Sequence, residues 1–233
     1  DGEEVEGSHE RLRIHDCNFD ACNGPIALLG RSTEHIYDVD ISNIQGTTGN
    51  GSAGAIQSKG YPSVRDCHIG RLSIRNISIK TQTWEPVIFM IGNNCEDVHI
   101  DNVEINNGSG VELSGTGWKN VSIVNLHSSG LSNYPALQLG YDSLTAEDQA
   151  FHAESIKLDN WMIKQTANTK NIINIQTQAT WDSMQIDNFQ YLGGTSTWLI
   201  KAIGTARRRI QAGNMSCVGG GGIFSGPFDV VVD

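Results

Sequence analysis

The sequence predicts an all-β fold: one chain wound as a parallel β-helix of about eight rungs, three strands to a rung, with asparagines stacked inside it. Three observations lead there. A phrase of about 28 residues recurs along the chain. Its apolar residues alternate with the period of a strand, and each copy breaks phase at one polar residue.

The polar residue of the phrase falls at Asp16, Asn43, Asn76, Asn102, Asn125, Asn160, Asn188 and Asn214. Four positions earlier stand Leu12, Val39, Leu72, Val98, Val121, Ile156, Met184 and Ile210. Two positions earlier stand Ile14, Ile41, Ile74, Ile100, Ile123, Leu158, Ile186 and Ala212. The next residue is again apolar: Cys17, Ile44, Ile77, Val103, Leu126, Trp161, Phe189 and Met215. Period two before the polar residue reads as a strand, and the phase shift after it reads as a corner. The asparagines then form a ladder inside the coil, each amide serving the next, so that buried polar groups stay satisfied.

A second phrase, "AGAIQSKG", "PVIFMIG", "SGVELSG", "PALQLG", "NIINIQT", "TWLIKAIG" and "GGIFSG", supplies one further strand per repeat, with "PIALLG" as its earliest copy. A β-sandwich or up-and-down barrel would show hairpin turns every 8 to 12 residues. Here the Asn-Gly pairs at Asn23, Asn50 and Asn107 read as loops, and the pattern recurs over whole rungs. No helical stretch follows any strand, which excludes a leucine-rich repeat.

Composition agrees. Of 233 residues 38% are hydrophobic and 18% charged, enough for a core, and 26 glycines against 5 prolines suit many tight corners. A net charge of −10 disfavours nucleic acid, and the single basic run is Arg207, Arg208 and Arg209. No run reaches about 18 apolar residues, so no membrane insertion is expected. Residues 1–10 are acidic, lack a signal-peptide pattern and read as a leading segment, with the β-helix over 11–233. Entry straight into a rung reads as part of a larger protein or a truncated piece.

Five cysteines without CxxC spacing argue against a disulfide framework and a structural zinc site. His15, His68 and His152 are too dispersed for a metal centre, and no phosphate loop or Ser/His/Asp motif stands out, so neither metal nor cofactor is expected. Sequons at Asn76 and Asn214 fall on the predicted ladder, where a glycan would not fit. That reads as a bacterial or viral chain that never meets glycosylation.

On these repeats the chain resembles the right-handed parallel β-helix superfamily of pectate lyases, polygalacturonases and bacteriophage tailspike depolymerases, over about residues 10 to 226. In that superfamily an internal asparagine ladder marks the corner between the second and third strands, where Asn102 and its counterparts fall. The polygalacturonase signatures "NTD", "DD", "GHG" and "RIK" are absent, and Gly115-Thr116-Gly117 lacks the histidine. Character rather than motif places tailspikes nearest: an acidic chain, an odd cysteine count and polar loops. The resemblance implies a homotrimer on a virion tail that binds and cleaves a bacterial surface polysaccharide. Outward apolar residues such as Val124, Met162 and Phe224 would suit the trimer.

Strand alternation maps the outer surface. Glu112 points out between Val111 and Leu113, Gln138 between Leu137 and Leu139, Asn174 between Ile173 and Ile175, and Lys201 between Ile200 and Ala202. This polar stripe could hydrogen-bond successive sugars. Trp84, Trp118, Tyr134, Tyr141, Trp181 and Trp198 border it and offer rings to stack on pyranose faces. Glycoside hydrolysis needs two carboxyl groups about 5 Å apart for retention or roughly 6.5 to 9.5 Å for inversion. Glu112 with Asp142 is the expected pair, with Asp182 a third candidate. His99, Asp101, Lys157, Asp159 and Asp187 form a second outward grid, suited to acid–base work or to a solvated face. Competing readings are a noncatalytic receptor-binding or structural shaft and a secreted polysaccharide lyase or glycosidase.

Overall fold

In a computed structural model, the described residues are 9–28, 35–49, 54–59, 67–81, 86–91, 93–131, 135–140, 150–165, 171–193, 198–204, 208–219 and 222–232. They are all-β, and every pairing between strands is parallel. Two sheets result, as expected of a parallel β-solenoid. Eight short strands form one: Ile26–Leu28, Ile56–Lys59, Pro86–Ile91, Ser109–Leu113, Leu137–Leu139, Ile173–Ile175, Trp198–Ala202 and Gly222–Ser225. The other is built mainly of long strands, among them Cys67–Lys80, Asn93–Asn106, Gly115–Leu131, Phe151–Gln165, Ala179–Leu192 and Arg208–Val218. Short and long strands alternate along the chain, and each pairs with its counterpart in the next coil.

Register follows the repeated phrase. Ile100 pairs with Ile74 before it and Ile123 after it, and Val98 lies between Leu72 and Val121. Stacking at the strand spacing of about 4.8 Å turns each phrase position into a column. Ile41, Ile74, Ile100, Ile123, Leu158 and Ile186 are sealed from solvent, as are Ile77, Val103, Leu126 and Phe189. Trp161 fills the same column: its ring lies 5.5 Å from that of Phe189, and its indole nitrogen donates to the Ile123 carbonyl at 2.9 Å. Leu12, Ile14 and Cys17 are only partly buried, because the first described coil has a neighbour on one side.

The predicted second and third strands are one continuous, bent strand. It passes through the polar residue, whose φ is 54° at Asn102 and 50° to 58° across the whole series. Asparagine and aspartate tolerate this left-handed conformation because a short polar side chain can bond locally. The conformation also corrects the predicted placement. Rather than continuing the inward alternation, the corner turns two successive side chains out, as with Asp101 and Asn102 between buried Ile100 and Val103. Asn43, Asn76, Asn102, Asn160, Asn188 and Asn214 are exposed and Asn125 is half-buried, so none is internal. The burial argument against glycans at Asn76 and Asn214 falls with it.

The exposed amides still bond from coil to coil. Asn43 donates to Asp16, Asn76 to Asn43 at 3.0 Å and Asn102 to Asn76 at 2.9 Å. Asn160 donates to Asn125, and Asn214 to Asn188. At two steps the donor moves aside: Asn125 bonds Asp101 and Asn188 bonds Asp159.

Several polar side chains are buried, Arg208 among them. Arg208, 4% exposed, donates to the carbonyls of Ala179, Gln176, Thr177 and Ile203, fastening the turn between short and long strands of two coils. Burial holds its guanidinium below the usual arginine pKa.

Candidate functional site

The polar stripe on the short-strand sheet forms in register. Glu112 pairs with Phe89 on one side and Gln138 on the other, then Gln138 with Asn174 and Asn174 with Lys201. The flanking residues Val111, Leu113, Leu137, Leu139, Ile173 and Ile175 are buried, which fixes the alternate residues on the outer face. Three steps at about 4.8 Å carry the row from Glu112 to Lys201, roughly 14 Å.

Its side chains bond in one direction. Asn174 Nδ2 donates to Gln138 Oε1 at 3.5 Å, and Gln138 Nε2 donates to Glu112 Oε1 at 2.6 Å. The relay ends on the carboxylate of a residue only 7% exposed, which lies in register between Gln138 and Phe89. Chemically the row offers a carboxylate acceptor, two amides that both donate and accept, and an ammonium group.

The other expected site residues separate into three groups. Asp142, Trp84, Tyr134 and Tyr141 lie outside the described residues. Asp182 is exposed, but it stands in the long strand Ala179–Leu192, two coils beyond Glu112 and on the other sheet. It is not a row neighbour of Glu112.

Trp118 is corrected from a sugar-stacking wall to a core residue, being 1% exposed. Gly115 and Gly117, with φ of 104° and 91°, sit at a register shift between Gly115 and Trp118 in the strand Gly115–Leu131, and beyond it the indole turns inward. There its nitrogen donates to the Gly115 carbonyl at 3.1 Å and its ring lies 6.0 Å from that of Phe151. Trp181 is half-buried against the core, its indole nitrogen donating to the Arg209 carbonyl at 2.8 Å, which leaves a partial face outward. Trp198 is 40% exposed and belongs to the same short strand as Lys201. Its ring covers Gly222, where an added Cβ would collide with it, so the glycine seats the tryptophan.

On the long-strand sheet, Asp159 and Asp187 are direct partners in adjacent coils. Each is engaged: Asp159 by Lys157 at 3.4 Å and by Asn188, Asp187 by Gln185 at 2.6 Å. That favours a solvated, internally bonded face over acid–base work. Among the described residues, no group of three His, Cys, Asp or Glu side chains could hold a metal ion.

Sequence reasoning missed a groove on this sheet lined by Arg11, Arg13, Arg71 and Arg75 with Asp38, Asp40, Asp97 and His99. Arg71 closes on Asp38 at 2.6 Å, and Arg75 grips both oxygens of Asp40 at 3.0 and 2.8 Å. The signal was available in the alternation of Asp38 with Asp40 and the matching outward Arg71 and Arg75, once the coils are stacked.

Comparison of the chain with models of protein families, with characterised proteins and with solved structures finds no match.

Proposed function

We propose that this chain winds as a right-handed β-helix of about eight rungs and binds a bacterial surface polysaccharide, capsule or O-antigen, along the outer face of its short-strand sheet. The observation that carries the reading is the in-register row of Glu112, Gln138, Asn174 and Lys201, with Trp198 at its border. Repeating hydrogen-bonding groups at one-coil spacing suit a repeating chain of hydroxyls, and an exposed indole suits a pyranose face.

In the catalytic form of this reading the protein is a tailspike-like depolymerase. Glu112 is the buried acid, Asp142 supplies the second carboxylate, and the glycosidic bond is hydrolysed between them. The test is release of reducing ends from a panel of bacterial capsules and O-antigens. Release by the wild type, abolished by Glu112→Gln and by Asp142→Asn while binding persists, is the expected result. Tight binding of a glycan with no release by the wild type would sink the hydrolase.

The burial of Glu112 and its 2.6 Å bond from Gln138 favour a second reading, a noncatalytic receptor-binding shaft in which this carboxylate organises the row. Binding without release is its signature. In both readings the chain assembles as a homotrimer on a virion tail. Exposed Met162 together with Leu192 and Val218, the last two partners in register, supports that assembly. A solution mass near three times 25.3 kDa is expected, and a monomeric mass would remove the trimer.

A further inference from the structure

The arginine groove carries more positive charge than its own carboxylates use. Arg75 occupies both oxygens of Asp40, so Arg13, with Nη1 3.8 Å from Asp40 Oδ2, is too far to close a hydrogen bond of its own. Its side chain is 69% exposed. Arg71 is committed to Asp38 through Nε and Nη2. The third carboxylate, Asp97, accepts from Asn120 at 2.6 Å. Arg11 sits at a corner with φ of 61°, and its guanidinium has no hydrogen-bond or ion-pair partner among the described residues.

Four guanidinium groups therefore face three carboxylates in one concave patch, on a chain whose net charge is −10. Two of the four are paired with Asp38 and Asp40, and two keep open donors. A planar guanidinium presents a fork that matches a carboxylate or a sulfate at two points.

We propose that this groove is a binding site for an oxyanion carried by an acidic saccharide, with Arg11 and Arg13 taking its carboxylate or sulfate. Arg71 and Arg75 set the positive field, and Ser73 and His99, which also line the groove, face the sugar hydroxyls. The site stands on the arginines alone, on a different sheet from the Glu112 row, so either reading can fail without the other.

The test is titration of the intact chain with an oligogalacturonate, with a maltooligosaccharide of equal length, and with inorganic sulfate, at low and at physiological ionic strength. The acidic oligosaccharide binds, and more weakly as salt rises. The double variant R11Q/R13Q lowers its affinity by roughly tenfold or more, with the thermal midpoint unchanged because neither side chain closes a hydrogen bond. Lys164→Gln, at an exposed lysine outside both the groove and the Glu112 row, leaves the affinity unchanged. Equal binding of the neutral oligosaccharide, or indifference to R11Q/R13Q, would overturn the proposal. So would loss of binding in the Lys164 variant, and sulfate competing at the affinity of the oligosaccharide would reduce the groove to a free-anion site and overturn the saccharide assignment.

Discussion

Asn125 donates its side-chain amide to the carboxylate of Asp101 at 2.7 Å, one position before Asn102, the acceptor that the repeat would assign to it. The same displacement recurs at Asn188, which bonds Asp159 rather than Asn160. At these two corners the donor settles on the carboxylate, an ionised acceptor making the stronger hydrogen bond, whereas Asn214 bonds Asn188 although Asp187 precedes it, that carboxylate already accepting from Gln185. The row of amides is thereby divided into three runs: Asp16 to Asn102, Asn125 to Asn160, and Asn188 to Asn214.

Removing either partner of the displaced bond should then be coupled. A double-mutant cycle on Asp101→Ala and Asn125→Ala, followed by urea unfolding, should return an interaction of about 1 kcal/mol. Strict additivity would mean that the bond contributes nothing to stability.

The left-handed corner makes its own demand. Asn102→Leu should be less stable than Asn102→Gly by about 1 to 2 kcal/mol, because only the leucine carries a Cβ into positive φ. Both lose the bond to Asn76, so chemical denaturation of the two variants isolates the backbone effect. Equal losses would count against it.

Arg208 should be among the most sensitive polar positions. Arg208→Met leaves several buried carbonyls without their donor, at a loss of about 3 kcal/mol or more. Arg208→Lys should recover only part of it, since one ammonium group cannot span four carbonyls. Thermal and urea unfolding of the two variants checks the order.

Asp16 adds a pH signature. Hydrogen bonding to His15, then to Asn43, holds its carboxyl below the ordinary value of 3.8. A depressed carboxylate contributes stability that is complete above its unfolded value and is lost as pH falls through its folded one. Carboxyl-carbon NMR should therefore show Asp16 titrating below pH 3.8, and Asn43→Ala should move it upward.

The thiols should react in order of exposure. Cys22 is exposed, Cys17 and Cys217 are half-buried, and Cys95 is sealed. Burial also raises the Cys217 thiol above its usual range, which lowers its thiolate fraction at mildly alkaline pH. Timed alkylation with mass spectrometry should label Cys22 well before Cys217, with Cys95 reacting only on unfolding.

Much of this architecture could be read from residue order. Val98, Ile100 and Val103 announce an inward column because strand alternation and one corner leave no other arrangement for three apolar positions. The register of Glu112, Gln138, Asn174 and Lys201 follows from the same stacking. The orientation of Asn102 did not follow, since its apolar neighbours suggest an inward residue and only the sign of φ turns it out. Trp118 was hidden similarly, beside positive-φ glycines that look like a loop but lie at a register shift within a strand. The pairing of Arg71 with Asp38 and of Arg75 with Asp40 spans 33 and 35 residues, a contact that appears only when coils are superimposed.

The bonded corners Asn125 and Asn160 are 35 residues apart, whereas Asn76 and Asn102 are 26 apart, yet the columns beside them keep the same register. Differences in coil length are therefore absorbed outside the stacked columns. A lineage built on such a frame can lengthen, shorten or exchange its outer segments one at a time while the interior continues undisturbed, so novelty at the surface and order in the centre are inherited separately.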